Sequence, residues 1–268
     1  MKLLSVNVGR ATAVPYTDQT EGLTGIDKRP VAGPVRVTAP GPKGTGGSGL
    51  AGDAVCDLRH HGGDDQAVYA IAREDLDDWE RELGRALPNG AFGENLTTEG
   101  LDISGALIGE RWRVGSELVL EVTCGRIPCR TFQAHLGERG WVKRFTRKGA
   151  PGAYLRVIEP GEIRPGDRVE IVHRPEHDVT VALQFRAETT ERELLPRVLA
   201  AGTALHPEAL EGARKYVAKH PGKYGDEPAG GRGDELGDEG EGARTQGANP
   251  GAGSASEAPS PSGRRRSG

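Results

Sequence analysis

Short runs of β-branched residues separated by glycine-rich turns dominate the first 175 residues, and this pattern most constrains the fold. The runs have the length of strands and read LLSVNV, VRVT, AVYAI, LVLEVT, YLRVIE and RVEIV. Glycine followed by an acidic residue precedes several of them, at Gly52, Gly109 and Gly166, as is typical of tight turns. The sequence therefore predicts a mostly β domain over residues 1–175.

Two helices are predicted inside this β pattern. Residues 73–87 place Leu76, Trp79 and Leu83 at spacings of three and four, which forms one apolar stripe. Residues 138–149 carry a weaker stripe that includes Trp141. The domain is therefore expected to be mostly β with some α.

The pattern changes after His177 to three short helical segments. They form a predicted subdomain over residues 176–220, in which Thr190 would cap the second segment as a Thr-x-x-Glu box. Residues 221–268 are rich in Gly, Pro, Ser, Asp and Glu and poor in large apolar side chains. Such a composition buries too little surface to offset the entropy of ordering, so a disordered tail is predicted there.

Charge and cysteine content exclude several classes of protein. The formal net charge of −4 argues against a protein that coats nucleic acid. Three cysteines are too few for a disulfide framework and indicate a reducing compartment. Because no signal peptide and no apolar run of bilayer length are recognised, a soluble cytoplasmic protein without membrane contact is expected.

Cys129, in the segment TCGRIPCRTF, is the sharpest candidate for chemistry. Arg126 and Arg130 flank it and would favour the thiolate, while Pro128 restricts the backbone before it. Burial as a structural cysteine is the usual alternative for a free thiol, and the local sequence leaves both interpretations open. Cys124 ends an apolar strand and is interpreted as a core residue. A Cys–His protease is not supported, because no base can be assigned from spacing.

Other polar stretches are weaker signals. Residues 40–53 are rich in glycine, but the Gly-Lys-Ser/Thr order of a phosphate loop is missing, so a flexible surface loop is expected. Arg59, His60 and His61 precede two glycines, and a polar turn is the simpler interpretation. No CxxC or HxxxH spacing indicates zinc. Asn95, in GAFGENLTTEGL, either completes a turn or offers its amide to a heterocycle.

Five segments in order resemble the MOSC domain, which is named after the C-terminal domain of molybdenum cofactor sulfurases. They read GLTGIDKRPV, LAGDAVCDLRHHGGDDQAVYAI, GAFGENLTTEGL, IGERWRVGSELVLEVTCGRIPCRTF and GAYLRVIEPGEIRPGD. The similarity is to the stand-alone bacterial, YiiM-like branch over about residues 2–175, and the helical stretch 177–218 resembles the three-helix appendage of that branch. The resemblance implies a β-barrel domain followed by these helices.

The resemblance also implies a function. Many MOSC domains bind the molybdenum cofactor, a molybdopterin, and relatives reduce N-hydroxylated compounds such as N-hydroxylated nucleobases. Electrons would come from a separate flavin or iron–sulfur reductase, since the chain has no nicotinamide fingerprint and too few cysteines for a four-cysteine cluster. At the level of the family, pyridoxal phosphate binding is implied as well, and a homodimer stays open.

Residue roles follow by resemblance. Cys129 matches the family cysteine and would ligate molybdenum, and His61 would assist proton transfer beside it. Lys28 and Arg29 match an early basic position and are assigned to the cofactor phosphate. The pterin is assigned to Arg59, His60 and Asn95. Arg126 and Arg130 would lower the pKa of the Cys129 thiol and balance the charge of the oxo-anion site of the cofactor. One departure is Gly93, where the amidoxime-reducing relatives carry an arginine.

Two alternatives remain at this stage. In the first, Cys129 carries a persulfide in a sulfur-carrier or cofactor-handling protein. In the second, the chain is a binding module with an inert Cys129, and the helical segment recruits a partner.

Overall fold

The structure is a computed structural model that describes residues 1–17 and 21–221. The tail predicted for residues 221–268 lies outside the described residues except for Pro221. None of the helices that the structure describes combines the length and apolar character needed to span a bilayer.

Twelve strands form within the described residues. They are β1 (Lys2–Gly9), β2 (Thr12–Ala13), β3 (Leu23–Thr24), β4 (Lys28–Pro30), β5 (Val35–Val37), β6 (Val68–Ala72), β7 (Leu96–Glu99), β8 (Arg111–Val114), β9 (Leu118–Gly125), β10 (Ala153–Glu159), β11 (Gly161–Ile163) and β12 (Val169–His173). Each of the six predicted runs coincides with one of these strands, so the β content is confirmed.

Six α-helices lie between or after these strands within the described residues. They are α1 (Arg73–Leu83), α2 (Arg130–Leu136), α3 (Trp141–Lys148), α4 (Val181–Thr189), α5 (Leu195–Val198) and α6 (Pro207–Lys219), with short 3-10 turns at Asp64–Gln66, Arg192–Leu194 and Leu199–Ala204. The α1 helix ends four residues earlier than predicted, because Gly84 adopts a left-handed conformation and donates its N–H to Glu80 O.

Eight strands form one sheet in the order β12-β8-β9-β10-β6-β7-β1-β4. All neighbours are antiparallel except β6 and β7, which are parallel and joined through α1. The sheet curls back on itself, since Lys2 bridges to Arg168 and Leu3 N–H donates to Asp167 O at 2.9 Å. This contact joins the first strand to the region just before β12, so the predicted barrel-like core is confirmed.

A second core lies outside the barrel between the helices. Six aromatic side chains, here called the aromatic cluster, are all fully buried: Trp79, Phe92, Phe132, Trp141, Phe145 and Phe185. Most of the close ring pairs meet edge to face, with centroids 5.2–5.4 Å apart for the pairs that involve Phe132. The cluster fixes α2 against α1 and α3, and the residue that precedes α2 is Cys129.

The C-terminal helices differ in one detail from the prediction. Thr190 does not cap the second segment: it ends α4, and Glu191 precedes the following 3-10 turn without a side-chain cap. The capping residue is Thr180, whose hydroxyl accepts the Leu183 N–H at 3.0 Å at the start of α4. The prediction for Thr190 was therefore wrong, because this residue directly follows α4 and donates its N–H to Arg186 O at 2.9 Å, which completes the last turn of that helix.

We expect Thr180→Ala to lower the free energy of unfolding by about 1 kcal/mol, since one N–H at the start of α4 loses its acceptor. Thr190→Ala is the matched control and should change it by less than about 0.5 kcal/mol. Urea unfolding of both variants checks this, and equal losses would contradict the assignment of the cap.

Candidate functional site

One cavity of about 570 Å³ collects residues from the barrel, from the loops and from the C-terminal helices. Its volume lies within the range of roughly 300–1,000 Å³ that is usual for small-molecule and cofactor sites. Predicted site residues from four separated segments of the chain line this cavity, so the fold brings together residues that are far apart in sequence.

Cys129 lies on the wall of this cavity between the end of β9 and the start of α2. Its thiol is free and half-buried, and the residue packs partly against the aromatic cluster. Cys56 and Cys124 line the same cavity, and burial raises the pKa of Cys124 to about 12. Cys124 is thus a buried thiol, as the sequence predicts, and Cys129 is more exposed.

Arg126 is a buried cation without an anionic partner. The side chain is 5% exposed, and one Nη donates to Phe92 O. Its guanidinium carbon lies 4.2 Å from the ring centroid of Phe132 and 5.0 Å from that of Tyr69. Its Nε is buried and has no hydrogen-bond partner, and no carboxylate pairs with Arg126 in the described part of the chain. A buried guanidinium without a carboxylate partner favours the binding of an anion in the cavity.

The segment from Arg59 to His61 forms a turn at the cavity, where His61 N–H donates to Asp57 O at 2.9 Å. Arg59 is 69% exposed, and His60 is exposed as well, so both lie at the solvent side of the cavity. Burial and the neighbouring charge of Arg126 lower the pKa of His61 to about 4. His61 is therefore neutral near pH 7 and is not a charged proton donor.

The glycine-rich stretch 40–53 is held in place rather than free on the surface. Gly63 N–H donates to Gly47 O at 3.1 Å, and Gly41 N–H donates to the Asp64 carboxylate at 2.8 Å. Gly63 has a φ of 81°, and a Cβ there would come within 2.7 Å of the Lys43 backbone. The prediction of a flexible surface loop therefore missed that this loop brings Lys43 into the cavity wall.

Lys28 lines the cavity but is already paired. Its ammonium group bonds to the Asp53 carboxylate, which is fully buried and also accepts the Gly9 N–H at 2.7 Å. Desolvation lowers the pKa of Lys28, and Asp53 opposes that effect. The predicted phosphate role of Lys28 thus competes with a buried ion pair.

Asn95 continues the same network. Its amide nitrogen donates to the second oxygen of Asp53 at 2.9 Å, and its amide oxygen accepts the Tyr69 N–H at 3.1 Å. Both ends of the side chain are therefore occupied by the protein, although Asn95 lines the cavity. These partners are far from Asn95 in sequence, so its side chain joins distant segments and does not complete a local turn, and its contact with a heterocycle stays a prediction.

Arg29 is the predicted site residue that the structure leaves outside the cavity. Its side chain is 74% exposed and pairs with Asp27 at 2.8 Å. Adjacent residues of a strand face opposite sides, so Lys28 and Arg29 cannot both point inward from β4. Arg130, by contrast, is exposed and lines the cavity next to Cys129.

The helical appendage supplies residues that the sequence did not indicate as functional. Glu188 from α4 and the pair His206 and Glu208 at the start of α6 line the cavity. Glu208 pairs with Lys43 at 3.1 Å, which ties the appendage to the glycine-rich loop. The predicted helices thus form one wall of the site.

A comparison with known proteins decides the family. A model of the MOSC domain matches residues 57–170. YflK, an uncharacterized protein of Bacillus subtilis (strain 168), is 35% identical over 184 residues, which cover 69% of this chain and 79% of YflK. The chain belongs to the MOSC family. The matched range contains Cys129, Arg126 and the turn from Arg59 to His61.

Two further similarities describe the branch. The crystal structure of YiiM from Geobacillus stearothermophilus superposes with a TM-score of 0.65 at 27% identity and covers 81% of this chain and 98% of that one. A protein named Reductase from Gibberella moniliformis (strain M3125 / FGSC 7600) is 31% identical over 139 residues, or 50% of this chain and 24% of that protein. The MOSC protein described here is therefore YiiM-like, with the C-terminal helices included in the similarity.

A metal site made only of protein ligands is not formed in the described residues. No group of three or more His, Cys, Asp or Glu side chains is placed there to hold an ion. A metal that brings most of its own ligands requires less from the protein, and one thiolate is then sufficient.

Proposed function

We propose that this MOSC protein binds the molybdenum cofactor, with Cys129 as the protein ligand of the metal, and reduces N-hydroxylated compounds. The observation that carries the proposal is the meeting of a half-buried free thiol and a buried, unpaired guanidinium in one cavity of about 570 Å³. The thiol suits a soft, high-valent metal, and the guanidinium suits the cofactor phosphate.

The residues present fit such a group. Arg126 Nε is buried without a partner, so an anionic oxygen in the cavity would satisfy a donor that the protein leaves unpaired. Gly93 has a φ of 71°, and Arg126 Nη1 lies 3.5 Å from the position that a Cβ on Gly93 would take. Arg126 therefore lies beside Gly93, the position at which the amidoxime-reducing relatives carry an arginine, and we assign the phosphate to Arg126 instead of Lys28 and Arg29.

The overall reaction is R–NH–OH + 2 e⁻ + 2 H⁺ → R–NH₂ + H₂O, with the electrons supplied by a separate flavin or iron–sulfur reductase. The bound cofactor would supply the two-electron redox chemistry and an acceptor for the substrate oxygen. His61, neutral near pH 7, would hydrogen-bond the N–OH group, and the cavity wall would orient the substrate. The relative named Reductase supports a redox role.

Pyridoxal phosphate fits the cavity less well. A Schiff base needs a lysine amine that is free and unprotonated. The two lysines that line the cavity are both engaged, Lys28 with Asp53 and Lys43 with Glu208. We therefore do not assign this cofactor.

The experiment compares wild type, Cys129→Ser and Cys56→Ser, all produced in a host that makes the cofactor. We expect near-stoichiometric molybdenum and pterin in wild type and Cys56→Ser, and at least about a 10-fold loss of molybdenum in Cys129→Ser, since the soft ligand is replaced by a hard hydroxyl. Metal analysis and fluorescence of the released pterin give both quantities.

Two outcomes would contradict the proposal. A molybdenum content in Cys129→Ser equal to that of wild type would show that Cys129 is not the ligand of the metal. A Cys129 persulfide, seen by mass spectrometry in metal-free wild type while a reference molybdoenzyme from the same host is loaded, would instead favour the sulfur-carrier function. Reduction of an N-hydroxylated nucleobase by loaded wild type with a reductase supplied completes the test.

A further inference from the structure

The helical appendage contributes polar side chains to the cavity wall, and the proposed reaction gives them no role. Glu188 is a half-buried residue of α4 at the cavity wall, and the buried residues of this helix are mainly apolar. Within the described part of the chain, Glu188 forms no ion pair with a basic side chain. It is therefore a candidate for contact with a ligand.

Glu188 is a carboxyl group that exists in two protonation states near neutral pH. Burial raises its pKa to about 7, and Glu208 adds to the rise, while the amide of Gln184 one turn earlier offsets part of it. Gln184 itself is held by the backbone, since its Oε1 accepts the Gly125 N–H at 2.8 Å. The geometry thus places a carboxyl on a rigid helix rather than on a loop.

A second group that the proposed reaction does not use lies at the cavity wall. Gln66 lines the cavity, and its Oε1 is buried without a hydrogen-bond partner. A buried acceptor without a partner has lost its hydrogen bond to water and receives no hydrogen bond from the protein. A ligand N–H group would satisfy it.

We propose that Glu188 and Gln66 form a subsite that selects substrates with an amidine-type edge, in which a ring nitrogen stands beside an N–H group. A carboxyl oxygen accepts the N–H, the protonated carboxyl donates to the ring nitrogen, and the Gln66 carbonyl accepts a further N–H. This subsite rests on the proposed function for its substrate, and it assigns substrate selection to the helical appendage while Cys129 and Arg126 serve the cofactor.

The test replaces Glu188 by Leu and by Gln, with Glu211→Leu as control, because Glu211 is an exposed acid of α6 that pairs with Lys215 outside the cavity. A glutamine side chain can still pair with an amidine-type edge, since its C=O accepts the N–H and its NH₂ donates to the ring nitrogen. Glu188→Gln is therefore the conservative variant that should retain most of the binding, and Glu188→Leu is the variant that removes it.

Binding is measured first, by calorimetry with 4-aminopyrimidine, which has the edge, and with pyrimidine, which lacks the N–H group. For Glu188→Leu we expect about 10-fold weaker binding of 4-aminopyrimidine, in line with the loss of one bidentate pair, and no change for pyrimidine. Glu188→Gln and Glu211→Leu should stay within about 3-fold of wild type. Equal binding of 4-aminopyrimidine by wild type and Glu188→Leu would overturn the subsite.

Turnover of the loaded protein separates the two proposals. Glu188→Leu should raise KM for 4-(hydroxyamino)pyrimidine by about 10-fold with kcat within about 3-fold, and leave the reduction of hydroxylamine unchanged. If wild type reduces neither compound, the proposed reaction fails while the calorimetry still decides the subsite. If wild type reduces both and Glu188→Leu alters neither, the subsite alone fails.

Discussion

Replacing Arg126 by Met should abolish pterin retention without unfolding the protein. The variant removes the buried, unpaired cation to which we assign the cofactor phosphate, and truncating one partner of a buried charge pair costs about 2–5 kcal/mol, or roughly 30-fold to several thousand-fold in affinity. The cofactor-free variant should lose at most about 2 kcal/mol of unfolding free energy, since the lost ring contacts and the lost hydrogen bond to Phe92 O are partly offset by removal of an unpaired buried charge. Released pterin per chain and urea unfolding give the two quantities.

The matched control is Arg29→Met, which removes an exposed arginine of the same charge. It should keep wild-type pterin content. Full pterin in Arg126→Met, or loss of pterin in Arg29→Met, would contradict the assignment and return the phosphate to β4.

The local parts of the fold were predictable because they depend on neighbours in sequence. β-Branched runs and the apolar stripe of α1 are short-range patterns, and both appear where expected. The α2 helix was missed because its seven residues carry no side-chain cap, and the burial of Phe132 in the aromatic cluster is a long-range contact that favours it. The closure of the sheet through Lys2 and Arg168 likewise joins the two ends of the barrel domain.

The candidate site divides in the same way. Cys129 and Arg126 lie in one segment, so a single motif was enough to indicate both. The alternation of side chains along a strand predicts that only one of Lys28 and Arg29 faces inward, and this residue is Lys28. Glu188 could not be found from spacing, because its place in the cavity depends on how α4 packs on the barrel domain.

Replacing Lys28 by Met should have the largest effect on stability. Lys28 is 8% exposed and pairs with Asp53, whose side chain is fully buried. Removing one partner of a buried pair leaves an uncompensated charge and costs about 3–5 kcal/mol. Urea unfolding of the cofactor-free protein should show this loss, whereas Arg29→Met, one residue further along β4, should change the free energy of unfolding by less than about 1 kcal/mol, since its ion pair is exposed.

The double variant Lys28→Met, Asp53→Asn distinguishes stability lost through the unpaired charge of Asp53 from stability lost through changed packing. An asparagine at position 53 keeps an oxygen for the Gly9 N–H and carries no charge, but its NH2 replaces the oxygen that accepts from Asn95, so only part of the lost stability should return. If the double variant is as unstable as Lys28→Met, the loss comes from packing and the ion pair is not its cause. If Lys28→Met is stable but loses pterin, Lys28 serves the cofactor directly, and the buried pair with Asp53 opens when the cofactor binds.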